Sequence, residues 1–228
     1  MAKAMATLKM KLISINVGLP RTVTWEGRTV ATGIFKEPVD GPVMVRALNL
    51  EGDKQADLSA HGGVHKAVYA YPIEHYAYWG RTLPDMPLPW GMFGENLTVE
   101  GMLEEEIKIG DRFQVGGAVL MVTQPRLPCY KLGLKFGRDD MVKLFLASRR
   151  TGFYLAVLQE GEVKAGDAIE RLNQDDHQLT VADITRLYAF EKDDRAGLQR
   201  ALQVEALPES WRNYFQRQLE QVGGREHQ

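Results

Sequence analysis

Between residue 10 and about residue 172, apolar positions come in short β-type runs, alternating or continuous: KLISINVG, PVMVRALNL, KAVYAYP, EEIKIGDRFQVG, AVLMVTQ, FYLAVL and AIERL. Gly-Asp pairs at Gly52-Asp53, Gly110-Asp111 and Gly166-Asp167 stand beside these runs and mark turns. Strands so closely spaced predict a closed or strongly curved antiparallel β-barrel, because closure removes exposed strand edges. MVKLFLASR, from Met141, is the one helix that the pattern predicts inside this region.

After Asn173 the period changes from two to about 3.6, and three helices are expected. Thr180-Val-Ala-Asp183 fits a capping pattern before ITRLYAF, and Asp193-Asp194 can open RAGLQRALQV. Pro208 suits the first turn of ESWRNYFQRQLEQV, with Gly223-Gly224 as its stop. Leu187, Phe190, Leu198, Leu202, Trp211, Phe215 and Leu219 are the positions these helices would bury together. The expected organisation is a mainly β domain over residues 1–174 and a small three-helix domain over 175–228.

Composition narrows the function classes. A chain of 228 residues, 44% hydrophobic, can bury a sizeable core. Its formal net charge of -2 gives no general attraction to nucleic acid or anionic membranes. The helical segment from 172 onward has seven basic against ten acidic residues, which argues against a DNA-reading helix-turn-helix. The leader MAKAMATLKMKLISINVG lacks the apolar stretch of a signal peptide, and no run approaches the roughly eighteen apolar residues of a spanning helix, so a cytoplasmic protein is expected. A single cysteine excludes an intrachain disulfide, a Cys-only iron–sulfur site and a multi-thiolate zinc site.

That cysteine, Cys129, lies in QPRLPCY, just past a strand-like run stopped by Pro125 and Pro128. A lone cysteine is most often a small buried hydrophobe. Here Arg126 and Lys131 stand close enough to favour a thiolate, which can be a nucleophile or a soft metal ligand. Papain-type and caspase-type signatures are missing. In DLSAHGGVHK, His61 and His65 have the spacing of two zinc ligands on a helix, but Gly62-Gly63 argues for a loop. Such a loop brings backbone N–H groups close to an anion, with His61 and Lys66 adding donors and charge. GMFGENLT, with Asn96, and TGIFKEPV, with Lys36, read alone as a turn and a solvated charge. The aromatic cluster Tyr69, Tyr71, His75, Tyr76, Tyr78 and Trp79 reads as core, part of which could wall a pocket for a planar ligand.

In order along the chain, TGIFKEPV, GDKQADLSAHGGVHKAVYAYPIEHYAYW, FGENLTVEGMLEEEIKIGD, QPRLPCYKLG and TGFYLAVLQEGEVKAGD resemble the MOSC family, named from the C-terminal domain of molybdenum cofactor sulfurases. The similarity is greatest to the bacterial subgroup associated with hydroxylaminopurine resistance, in which a MOSC barrel precedes a three-helix domain. It covers about residues 30 to 222.

The resemblance implies binding of the molybdenum cofactor, a molybdopterin. Cys129 would be the thiolate on the metal, and Lys36, His61, Gly62, Gly63, Asn96 and Arg126 would lie in motifs lining the cofactor pocket, with Arg126 and Lys36 neutralising phosphate or polarising a leaving oxygen. It further implies reduction of N-hydroxylated compounds, such as hydroxylamino bases and amidoximes, to amines. The chain has no flavin or NAD fingerprint, so electrons must come from a separate partner, expected to be an NADPH-dependent flavoprotein reductase. A carrier of the cofactor or of sulfur, without turnover of its own, is the alternative that the family's name suggests.

Overall fold

A computed structural model of the chain describes residues 9–56 and 62–225. The strands are β1 (Lys11–Val17), β2 (Arg21–Trp25), β3 (Arg28–Thr32), β4 (Glu37–Pro38), β5 (Val43–Val45), β6 (Val68–Pro72), β7 (Leu97–Glu100), β8 (Arg112–Val115), β9 (Ala118–Pro125), β10 (Phe153–Gln159), β11 (Gly161–Val163) and β12 (Ile169–Asn173). The helices are α1 (Glu74–Thr82), α2 (Tyr130–Phe136), α3 (Met141–Ser148), α4 (Val181–Ala189), α5 (Arg195–Leu202) and α6 (Glu209–Arg225), with a 3₁₀ turn at Val64–Lys66.

Eight strands form one sheet in the order β12-β8-β9-β10-β6-β7-β1-β4, while β5 pairs with β11 and β2 with β3. Two expectations are corrected here. The sheet is mixed, since β6 and β7 run parallel, joined through α1. Nor does it close into a barrel, because the ladder ends at β12 and at the two-residue β4, whose Pro38 has no N–H to donate. Among the described residues a short seam spans the gap. Lys11 and Ala168 form an isolated bridge, Leu12 N donates to Asp167 O (2.9 Å), Gly166 N to Leu12 O (2.7 Å) and Ile169 N to Met10 O (3.0 Å).

Two helices inside this region escaped the pattern reading. α1 places His75, Tyr76 and Trp79 on one buried face, beside Tyr71, Phe93 and Phe145 in an aromatic core. Tyr71 and Phe93 stack at 4.5 Å and the Trp79 indole donates to the Tyr71 hydroxyl at 2.7 Å. α2 carries Gly133 in mid-helix, where a Cβ would stand 2.8 Å from the Arg138 carbonyl. Close approach of the next turn therefore requires the glycine that weakens the helical signal.

The C-terminal helices form as expected. Thr180 and Asp183 make a reciprocal capping box, and the Asp194 side chain caps α5 by accepting from Gly197 N at 2.9 Å. Pro208 sits one residue before α6, its carbonyl accepting from Trp211 N, and α6 runs through Gly223-Gly224 to Arg225 rather than stopping there. Leu187, Leu198, Trp211 and Phe215 join the same hydrophobic core as the sheet. Phe190 does not, being 41% exposed with the Arg149 guanidinium over its ring. Among the described residues no helix is long and apolar enough to cross a membrane.

Candidate functional site

An open cleft lies where the end of β9, the 32–36 segment, the 53–56 segment and the 3₁₀ turn converge. Lys36, Asn96, Arg126 and Cys129, distant in sequence, all line it. Gly62 and Gly63 stand at the entry to the 3₁₀ turn but are not among the lining residues; Gly63 adopts φ +94° there, a conformation that favours glycine. His61 lies outside the described residues.

Among the described residues the lining also includes Lys54, Lys66, Lys131, Tyr69 and Tyr154, with one acid, Asp53. Five cations facing one carboxylate make this a locally positive site on a chain whose net charge is -2. Burial lowers the pKa of Lys66, the expected response of an ammonium drawn out of water.

In the sequence Asp53 reads only as a turn residue, yet it organises the floor of the cleft. It is 3% exposed and accepts from the Lys36 ammonium, from Gly18 N at 2.9 Å and from Asn96 Nδ2 at 2.9 Å. Asn96 Oδ1 in turn accepts from Tyr69 N at 3.1 Å. Both ends of the Asn96 amide are thus committed to the protein, so it frames the cleft rather than grasping a ligand. Burial lowers the Lys36 pKa, and the Asp53 charge and hydrogen bond act in the opposite sense.

Below this layer Glu95 is fully buried, accepting from the Tyr76 hydroxyl, Gly91 N (2.8 Å) and Phe93 N (3.0 Å). Burial pushes its pKa up, and those donors pull it back. From α2, Lys135 donates to the Ile34 carbonyl at 3.0 Å and the Gly91 carbonyl at 2.5 Å, and burial lowers its pKa to about 8. The helix that follows Cys129 is thereby pinned to the segments carrying Lys36 and Asn96.

Arg126 is 5% exposed, with its guanidinium 5.4 Å from the centre of the Tyr69 ring and 5.1 Å from that of Phe145. Its Nη1 is buried with no hydrogen-bond partner. A charged donor left this way costs about 1–3 kcal/mol or more, and an anion seated in the cleft would remove that cost. Burial acts against the Arg126 charge, but Tyr69, Tyr154 and Cys129 favour it, leaving its pKa raised. Cys129 precedes α2 in extended conformation and is partly buried. Its side chain makes no capping bond to α2. Among the described residues no group of three or more His, Cys, Asp or Glu could hold a metal ion.

Comparison with known proteins finds two family matches along the chain. A MOSC domain model matches residues 57–170, and a YiiM-like, 3-alpha helix domain model matches 179–222. The uncharacterized protein YflK of Bacillus subtilis is 41% identical over 214 residues, which cover 94% of this chain and 96% of that protein. The crystal structure of YiiM from Geobacillus stearothermophilus superposes with a TM-score of 0.78 at 36% identity, covering 92% of this chain and 99% of that one. A protein of Gibberella moniliformis named Reductase is 34% identical over 164 residues, 71% of this chain but 29% of its own length.

Proposed function

Because this chain belongs to the MOSC-domain family and carries the YiiM-like three-helix domain, we propose that it is a cytoplasmic, molybdenum-cofactor-dependent reductase of N-hydroxylated compounds. The observation that carries the reading is the cleft itself: five cations, an unsatisfied buried guanidinium nitrogen on Arg126 and a single thiol at Cys129. That donor set fits a phosphate-bearing cofactor that brings most of its own metal ligands.

The bound cofactor would supply the two-electron redox step. Cys129 Sγ would ligate the metal, and Arg126, Lys66 and Lys131 would neutralise the cofactor's phosphate. Asp53 and Asn96 would hold Lys36 at the floor, where its ammonium can polarise the oxygen that leaves. Burial holds Tyr69 and Tyr154 protonated, so both act as hydrogen-bond donors rather than bases, and Tyr69 already donates to the Thr151 carbonyl. The overall change takes R–NHOH, two electrons and two protons to R–NH2 and water, breaking the N–O bond. The electrons would come from an external donor, an NADPH-dependent flavoprotein reductase. The fungal relative named Reductase supports the redox class, although this chain spans less than a third of it.

Protein produced in a cofactor-competent host is expected to carry about one molybdenum and one pterin per chain, and Cys129→Ser to lose the metal. Full metal in the variant would remove the ligand assignment. Reduced holo-protein mixed with hydroxylaminopurine or an amidoxime should yield the amine. Absence of product from metal-replete protein would favour a carrier of the cofactor or of sulfur.

A further inference from the structure

The three helices share more than an apolar core with the sheet. The Trp211 indole of α6 is 7% exposed and donates to Gln124 Oε1 at 2.5 Å, and Gln124 is itself 3% exposed at the end of β9. Gln124 Nε2 donates to the His65 carbonyl at 3.2 Å, and that carbonyl also accepts from Thr123 Oγ1 at 2.7 Å. His65 is the middle residue of the 3₁₀ turn, whose Lys66 lines the cleft and donates its amide to Gly63 O at 2.9 Å.

The chemistry of each partner fixes the direction of this chain of bonds. An indole N–H only donates, so it selects the oxygen end of the Gln124 amide. The amide is planar, so its NH2 end faces the other way, toward a backbone carbonyl that only accepts. The amide is thus held at both ends, and removing the indole leaves its oxygen end without that donor. Trp211 also lines a groove with Tyr188, Tyr214 and Leu127, and Leu127 lies between Arg126 and Cys129 and lines the cleft as well.

We infer that Trp211 is a positioning residue for the cleft, acting through Gln124 on the segment from Gly62 to Lys66. The three-helix domain then has a function inside its own chain: it braces the wall that presents Lys66 to the anion. The inference deepens the cofactor reading and rests on it for its second test only.

Hydrogen–deuterium exchange on the full chain decides it, comparing wild type, Trp211→Phe, Gln124→Met and the double variant. Each single change should speed exchange in residues 62–67 about fivefold, the weight of one buried hydrogen bond, with β10 unaffected. The double variant should match the singles, since both cut one chain of bonds. Unchanged exchange in 62–67, uniform acceleration across the chain, or additive effects would each overturn the assignment. In the second test, cofactor-free protein is titrated with inorganic phosphate. Both singles should weaken binding severalfold, and the difference should vanish on a Lys66→Ala background; a difference that persists there speaks against positioning of Lys66. Wild-type protein that binds no phosphate would count against the cofactor reading, and the exchange test would still decide the role of Trp211.

Discussion

Asp53→Ala is the most informative perturbation of the cleft. Asp53 and Lys36 form a buried ion pair with side chains 1% and 9% exposed, and the carboxylate also serves Gly18 N and Asn96 Nδ2. Removing one partner of such a pair strands the other charge, at about 3–5 kcal/mol. The loss of roughly 4 kcal/mol is a large share of the 5–15 kcal/mol typical of a domain, and translates to about 8–16 °C in melting temperature at this chain length. The variant should also become more stable as pH rises. Burial already lowers the Lys36 pKa from its ordinary 10.5, and without Asp53 only the smaller influence of Glu95 opposes it. The unfolded chain then binds the extra proton, so the penalty is full below the folded pKa and is relieved as pH climbs through 10.5. Urea denaturation from pH 7 to 10 measures both effects. Lys36→Met on the Asp53→Ala background should recover half or more of the loss, because it removes the stranded charge. A single variant within 1 kcal/mol of wild type, or a double variant no better than the single, would refute the account of the cleft floor.

Two further predictions concern the layer beneath. Lys135 has a folded pKa of about 8 against 10.5 in the unfolded chain, so its burial penalty is complete below pH 8 and fades toward 10.5; wild type should gain stability over Lys135→Met across that window, and a pH-independent difference in denaturation midpoint would contradict this. Gly91 adopts φ +81°, and a Cβ there would lie 2.8 Å from the Lys36 carbonyl, so Gly91→Ala should cost about 2 kcal/mol in urea unfolding and weaken phosphate binding in the cofactor-free protein by displacing Lys36.

The legible parts of the sequence were those in which local signals agree. α4 and α5 announce themselves by period and by cap residues at Thr180 and Asp194 that make the expected bonds. α1 is hidden because EHYAYWGRT follows a strand after the single residue Ile73 and its apolar positions are aromatic, the residues that also favour strands. Closure of the sheet was not legible at all, since it depends on whether two distant edges meet. In the cleft, Cys129, Arg126, Lys36 and Asn96 could be named because each sits in a recognisable stretch. Asp53 could not, because its role exists only once residues 18, 36 and 96 converge on it.

The seam between Met10–Leu12 and Gly166–Ile169 sets a timetable for folding. Bringing residues about 150 apart together costs on the order of 4–5 kcal/mol in loop-closure entropy, against three backbone bonds, so these contacts form only after the intervening sheet has condensed. On a ribosome adding about 5–20 residues per second, β1 emerges at least roughly eight seconds before the segment that completes its edge. During that interval Lys11 and Leu12, at the start of β1, have no native partner at the seam. The start of β1 therefore waits longer for this seam than β5 waits for β11, and needs protection for longer while the chain is being made.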